Sequence, residues 1–137
     1  YSVERGRLGF NAVVPVRDLH ETYLPAFRRC VVEGRPAQVM CAYNALNGTP
    51  ACLSGDLLEG LLRDEWGFDG LVVSDEDAVH SAFADHHFAA TEANASAMAL
   101  RAGCDLNDGT TYARSLGAAA AAGLVAEADV DRALTRV

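Results

Sequence analysis

The sequence predicts an α/β fold, in which parallel strands with flanking helices form a partial (β/α)8 TIM-type barrel or a small open sheet. Short apolar runs alternate with amphipathic stretches of helical length along the 137 residues. Strands that alternate with helices in this way form parallel, right-handed units. The length suffices for three or four such units, which is one domain or less. Either architecture would place chemistry at the carboxyl ends of the strands.

Four segments have the composition of short strands. The run Leu71, Val72 and Val73 is continuously apolar, which is typical of a strand buried on both faces. The predicted strands cover residues 10–14, 38–43, 70–74 and, as a shorter fourth, 104–106.

Capping residues and glycines delimit the helices between these strands. Asp18 opens a helix toward Gly34, and Pro25 inside it predicts a division into two pieces. Ser54 caps the next helix, whose leucines fall on one face and whose end Gly67 marks. Further helices are predicted over residues 91–102, 112–122 and 128–137.

The charge composition excludes several classes of function. All 11 basic residues are arginines against 19 acidic residues, and the net charge of −8 opposes binding to nucleic acid. Without lysine the chain has neither a Schiff-base residue nor a phosphate-loop lysine. The longest uncharged apolar stretch, residues 115–126, is too short to cross a membrane.

The cysteines and the first residues say little about the cellular compartment. Cys30, Cys41, Cys52 and Cys104 include no Cys-x-x-Cys pair, so we expect buried free thiols. The chain starts at Tyr1 instead of an initiator methionine, which suggests missing upstream residues, and shows no signal peptide.

An acidic triplet ends the third predicted strand. The apolar run of residues 70–74 stops at Asp75, Glu76 and Asp77. A buried strand would hold Asp75 at the rim of the sheet, where a carboxylate can be a nucleophile, a general base or a metal ligand. Alternatively, the triplet begins a solvated loop or caps a helix.

A tyrosine and a pair of adjacent histidines are further candidates for a site. Tyr43 ends the second predicted strand, where its hydroxyl could bond a neighbouring carboxylate or its ring could pack under a helix. His86 and His87 are adjacent and therefore cannot share a helix face, which disfavours a metal pair.

Five ordered blocks carry a resemblance that spans residues 8–137. They are residues 18–27, 39–44 followed by Asn47 and Gly48, 62–68, 70–75 and 102–106. In this order they resemble glycoside hydrolase family 3. Within this family the chain is most similar to the β-xylosidase and arabinofuranosidase-like branch. The similarity rests on the Met-Cys-x-Tyr-Asn motif of residues 40–44, the His87–Phe88 pair and Asp105–Leu106.

The resemblance implies roles for single residues. Asp75 matches the catalytic nucleophile, which attacks the anomeric carbon and forms a covalent glycosyl-enzyme. Tyr43 matches the tyrosine beside the nucleophile, Met40 a residue of the sugar pocket, and His87 a pocket histidine before an aromatic residue. Glu76 departs from the family, where β-glucosidases have Trp and the xylosidase branch has Cys, so the sugar preference stays open.

The resemblance also implies an activity and a missing remainder. It implies a retaining O-glycoside hydrolase that cleaves β-linked xylosides or glucosides from non-reducing ends, with carbohydrate as the partner and without cofactor or metal. In the family the acid/base residue comes from a later domain, and a sugar-binding Lys-His pair lies upstream. We therefore expect residues 1–137 to be the later half of an incomplete barrel domain, inactive and unstable without the rest of the same polypeptide.

Two alternatives stay open from the residues alone. The acidic triplet could bind a metal in a transferase or phosphoryl-transfer enzyme, although no glycine-rich phosphate loop accompanies it. Otherwise the chain could be a truncated barrel that binds a partner without catalysing a reaction.

Overall fold

In the computed structural model, the described residues 5–137 form strands and helices that alternate along the chain. The strands are β1 (Asn11–Ala12), β2 (Gln38–Cys41), β3 (Ala45–Leu46), β4 (Thr49–Pro50) and β5 (Leu71–Ser74). The α-helices are α1 (Val16–Asp18), α2 (Leu24–Arg29), α3 (Ala78–Ala84), α4 (Glu92–Arg101), α5 (Thr111–Ala121) and α6 (Glu127–Arg136). π-Helical segments cover Leu19–Tyr23, Cys30–Gly34 and Asp56–Glu65, and a 3-10 helix covers Ala51–Leu53.

A parallel ladder forms the centre of the fold. β2 pairs with β5, with Met40 opposite Val73 and Cys41 opposite Ser74. A parallel bridge between Val73 and Leu106 adds the fourth predicted strand on the other side of β5. Neighbours in this ladder follow one another along the chain with helices between them, which is the order of a (β/α)8 barrel. The fold is a partial (β/α)8 barrel, as the sequence predicts.

The first predicted strand is shorter than expected and pairs with a hairpin. β1 runs parallel to β3, and β3 pairs antiparallel with β4. Positive φ angles at Asn47 (50°) and Gly48 (93°) are typical of the two-residue turn that joins such strands. The Asn47 amide also accepts from the Val14 nitrogen at 2.8 Å and donates to its carbonyl at 3.0 Å, which ties β1 to the hairpin.

The helix that contains Pro25 is continuous, so the predicted division into two pieces is wrong. Helical backbone runs over residues 16–34 as alternating α and π segments. Pro25 lies in the first turn of α2, directly after a π segment whose wider turn joins the Leu24 nitrogen to the Leu19 carbonyl. A proline is tolerated there because its missing N–H belongs to the first turn of the new segment.

The cap predicted for the next helix is confirmed. The Ser54 hydroxyl accepts the Leu57 nitrogen at 3.3 Å, and the helix Asp56–Glu65 follows. Leu58 and Leu62 are buried on its inner face, and Gly67 leaves the helix with a φ of 71°. The sequence therefore predicts the position of this helix, although its π-type winding was not expected.

The core lies between the ladder and the helices on one side. Val72 of β5 and Val79 of α3 are both fully buried and belong to one apolar cluster. On the other side of the ladder, Met40 is 58% exposed and Leu106 is 41% exposed. α3 itself was not among the predicted helices, because its seven residues are too few to show a helical period.

Two of the four cysteines form a disulfide, which corrects the expectation of free thiols. Cys41 at the end of β2 pairs with Cys52, at a Cα–Cα distance of 5.1 Å. The hairpin between them reverses the chain and returns Cys52 to the end of β2. Cys104 is a buried free thiol, as expected, and burial raises its pKa to about 12. Cys30 is free but exposed.

A buried ion network joins the helix Asp56–Glu65 to the ladder. Arg63 and Asp105 form an ion pair at 2.6 Å, with side-chain exposures of 5% and 1%. Arg63 also donates to the Gly70 carbonyl at 2.9 Å, and Asp105 accepts the Val72 nitrogen at 2.9 Å. Arg136 of α6 reaches the second oxygen of Asp105 at 3.1 Å. These contacts fix the start of β5 relative to three other elements.

Over residues 5–137, none of the helices combines the length and the apolar character that crossing a bilayer requires.

Candidate active site

Asp75 lies at the carboxyl end of β5. Its backbone nitrogen donates to the Cys41 carbonyl at 3.0 Å, which continues the ladder with β2 by one hydrogen bond. One carboxylate oxygen, Oδ1, accepts the Glu76 backbone nitrogen at 2.8 Å. The side chain is half-buried. A half-buried carboxylate on a fixed backbone is accessible to a ligand, and the backbone keeps the carboxylate in one orientation.

Tyr43 lies near this carboxylate, just beyond the end of β2. The charge of Asp75 acts on its phenol, and the Arg7 guanidinium carbon lies 5.2 Å from the centre of its ring. Burial raises the pKa of Tyr43 above 10.0, and the charge of Asp75 raises it further, while Arg7 opposes this. The phenol therefore stays protonated at neutral pH and can donate to Asp75.

The other two carboxylates of the acidic triplet do not join Asp75. Asp77 has a positive φ of 56° and turns toward the Thr111 hydroxyl, which donates to it at 3.5 Å. Gly109 lies so close to Asp77 that any side chain there would clash with it. Glu76 is exposed. The triplet therefore lacks the converging oxygens of the metal-binding alternative.

Hydrogen bonds from Asn107 and Asp108, which follow the fourth predicted strand, also fix the end of β5. The Ser74 hydroxyl accepts the Asn107 amide at 3.2 Å and the Asp108 nitrogen at 3.0 Å. The side-chain oxygen Oδ1 of Asn107 in turn accepts a hydrogen bond from the Tyr112 backbone nitrogen at the start of α5. Since Ser74 is fully buried and precedes Asp75, these bonds fix the backbone that carries the carboxylate.

Met40 and His87 both lie at exposed positions. Met40 stands opposite Val73, two residues before Asp75, on the open face of the ladder. His87 follows α3 with a φ of 51° and an exposed side chain.

Sequence reasoning missed the contacts of His86 and Arg7. The Nε2 atom of His86 lies 2.8 Å from the Tyr43 carbonyl oxygen. Arg7 lies over the ring of the same residue, although it precedes the matched sequence blocks. A histidine and an arginine each far from Tyr43 along the chain leave no local signal of these contacts, and only the fold brings them together.

Known proteins share the sequence and the fold of this chain. Residues 4–137 match the model of the glycosyl hydrolase family 3 N-terminal domain. This chain belongs to glycosyl hydrolase family 3. The fold is accordingly part of the barrel domain of that family.

Named relatives cover nearly all of the chain. It is 45% identical over 129 residues to β-D-xylosidase 3 of Arabidopsis thaliana, a match that covers 94% of this chain and 17% of that protein. A similar fold occurs in the family 3 exo-β-xylosidase XlnD bound to a xylobiose aziridine activity-based probe. Its TM-score is 0.92 at 36% identity, over 95% of this chain and 17% of that one.

A β-glucosidase of Listeria innocua in complex with glucose is similar as well. The TM-score is 0.85 at 30% identity, over 92% of this chain and 17% of that one. The family 3 chain described here thus spans about one sixth of the length of the relatives that it matches.

Proposed function

We propose that this chain is the later half of a family 3 barrel domain and supplies the catalytic nucleophile of a retaining glycoside hydrolase. The observation that carries the proposal is the position of Asp75 at the carboxyl end of β5, where its charge acts on the phenol of Tyr43. In a barrel of this type the active site lies at the carboxyl ends of the strands, so a sugar can reach a carboxylate in that position. The proposal includes the remainder of the same polypeptide as the source of the second carboxyl group that a retaining mechanism requires.

The proposed reaction has two steps. An oxygen of Asp75 attacks the anomeric carbon, the bond from that carbon to the leaving oxygen breaks, and a carboxylic acid protonates the leaving group. Water then cleaves the glycosyl-aspartate ester and releases the sugar with its original configuration. In retaining enzymes the two carboxyl groups lie about 5 to 5.5 Å apart, and the proposal places the acid in the part of the polypeptide outside the described residues.

The proposed substrates are β-linked xylosides, with β-glucosides as the second class. Support for xylosides comes from the names of the relatives, which include a β-D-xylosidase and an exo-β-xylosidase bound to a xylobiose-derived probe. Support for glucosides comes from the Listeria innocua β-glucosidase in complex with glucose. Both classes would use the same nucleophile. The exposed Glu76 lies beside it, at the position that leaves the sugar preference open. Cleavage from the non-reducing end is part of the proposal.

Mechanism-based labelling tests the proposed function. A 2-fluoro xyloside slows both steps, so the whole enzyme should accumulate a covalent sugar adduct that mass spectrometry assigns to Asp75. The Asp77→Asn variant is the matched control and should be labelled normally, because Asp77 turns toward Thr111. Labelling of any other residue, or no labelling of an active enzyme, contradicts the proposal.

Replacing Tyr43 by Phe in the whole enzyme should lower kcat. A hydrogen bond to a charged group is worth about 1.5 to 3 kcal/mol, so the expected loss is roughly 10- to 100-fold. Because the pKa of Tyr43 is raised from its ordinary value of 10.0, the phenol is protonated throughout the neutral range. The loss of kcat should therefore be present at every neutral pH. Steady-state kinetics over a pH series measures it.

The Tyr23→Phe variant is the control, since Tyr23 lies on the exposed side of the helical stretch 16–34. Its kcat should equal that of the wild type. Wild-type kcat in the Tyr43→Phe variant would show that the phenol does not support the nucleophile.

A further inference from the structure

We propose that His86 is a positioning residue that holds the Asp75–Tyr43 pair in its reactive geometry. The inference rests on the proposed function and extends it to a residue outside the acidic triplet and outside β2. His86 neither follows a strand nor touches Asp75 in this arrangement. It acts through the backbone of Tyr43, whose carbonyl oxygen lies 2.8 Å from its Nε2 atom.

Tyr43 lies beyond the paired part of β2. The ladder between β2 and β5 ends at the Cys41–Ser74 pair, so Tyr43 lies two residues beyond the last paired position. Its phenol lies close enough to Asp75 to be affected by the charge of that carboxylate, and a hydrogen bond between them would weaken steeply if the distance or angle changed. The contact at the carbonyl of Tyr43 adds a hydrogen bond where the ladder has ended.

The loop that presents His86 is itself anchored in the core. The backbone nitrogens of Asp85 and His86 both donate to the Ser81 carbonyl at 2.9 Å. The Phe88 nitrogen donates to the Ala82 carbonyl at 2.9 Å. Ser81 is 3% exposed and Ala82 is fully buried, so the imidazole projects from a rigid base. A shift of Tyr43 would have to break contacts that extend into the packed interior.

The chemistry of the contact determines the role of the ring. The partner is a carbonyl oxygen, which can only accept, so Nε2 of His86 carries the hydrogen. Both the neutral Nε2–H tautomer and the imidazolium satisfy this, so the contact holds whichever charge the ring carries. His86 therefore supplies a donor at a fixed position, and any side chain with a donor of similar reach should replace it. This predicts that Gln substitutes for His86 and that Leu does not.

Three variants of the whole enzyme test the inference, with an aryl β-xyloside as substrate. His86→Leu should lower kcat roughly 10- to 100-fold with KM nearly unchanged, since small misplacements of reacting groups have effects of that size. His86→Gln should restore most of kcat, because its amide can donate to the same carbonyl. His20→Leu is the matched control on the exposed surface and should keep the wild-type kcat. If the Leu variant does not fold, His86→Asn takes its place, because its amide is too short to reach the carbonyl.

Two results would overturn the role of His86. One is wild-type kcat in His86→Leu, or in His86→Asn where that variant replaces it. The other is an equal loss of kcat in the Leu and Gln variants with an equal loss of thermal stability, which would make His86 a structural residue only. An Asp75→Ala variant measured alongside separates this inference from the proposed function. Wild-type activity in that variant refutes the proposed function, whereas an inactive Asp75→Ala with an active His86→Leu refutes the positioning role alone.

Discussion

Replacing Asp75 by Ala in the whole protein should lower kcat/KM by at least about 10³-fold, because Asp75 is the proposed catalytic nucleophile. The fold should survive, because Asp75 is half-buried and its carboxylate accepts a hydrogen bond from the neighbouring Glu76 nitrogen, not from a distant element of the core. The backbone nitrogen of Asp75, which joins β5 to the Cys41 carbonyl, is unaffected by the substitution. Steady-state kinetics on an aryl β-xyloside measures the loss, and circular dichroism measures the fold.

Added azide makes this test specific for a nucleophile. A small anion can occupy the space of the deleted carboxylate and attack the anomeric carbon from the same side. The variant should then regain activity and release a glycosyl azide of inverted, α configuration, which nuclear magnetic resonance identifies. Asp77→Ala, which removes a carboxylate that faces Thr111, should neither lose comparable activity nor respond to azide. A retained β configuration in the azide product would mean that another residue is the nucleophile.

The parts of the fold with local signals could be predicted from the sequence. The apolar run before Asp75 predicts a buried strand that ends in a carboxylate, and β5 ends at Ser74. Ser54 caps the following helix, as its position before a run of leucines indicates. In both cases the residues that determine the element lie within it or next to it, so a single sequence carries the information.

The remaining features depend on residues that are distant along the chain. β1 pairs with β3, and the hairpin that makes this possible also brings Cys52 to Cys41, which no spacing rule predicts. His86 reaches Tyr43 across 43 positions. The continuous helix around Pro25 depends on a π segment, and hydrophobic periodicity does not distinguish π from α turns over so few residues. Pairing and side-chain contacts of this kind follow from packing, not from local propensity.

The same distinction applies to the site. The end of a strand predicts where Asp75 lies, and alternation along β2 leaves Tyr43 free to lie at the rim. Neither observation predicts that Asp77 turns away, because its direction is set by Thr111 and by the close approach of Gly109. A site at strand ends is thus predictable in position, whereas the partners of its side chains require the structure.

Replacing Arg63 by Leu should destabilise β5 locally by about 3 to 5 kcal/mol, the usual effect of removing one partner from a buried ion pair. Burial lowers the pKa of Arg63, and the carboxylate of Asp105 opposes this effect. Without the guanidinium, Asp105 keeps Arg136 and the Val72 nitrogen but loses its 2.6 Å partner. The carbonyl of Gly70 loses a donor as well. Hydrogen exchange of the peptide that contains Leu71–Ser74 measures the free energy of local opening in the whole enzyme.

Arg17→Leu is the matched control for this prediction. Arg17 pairs with Glu21 at 3.0 Å, but the side chains are 81% and 62% exposed, so the pair contributes at most about 1 kcal/mol. The double variant Arg63→Leu/Asp105→Leu, measured with the single variants Arg63→Leu and Asp105→Leu, distinguishes an unpaired charge from lost packing. If the cost of the single variant comes mainly from leaving Asp105 without its partner, the double variant should lose less stability than the sum of the two single variants. Additive losses would instead mean that each side chain stabilises β5 through its own contacts, Arg63 through the carbonyls of Gly70 and Gly103 and Asp105 through Val72.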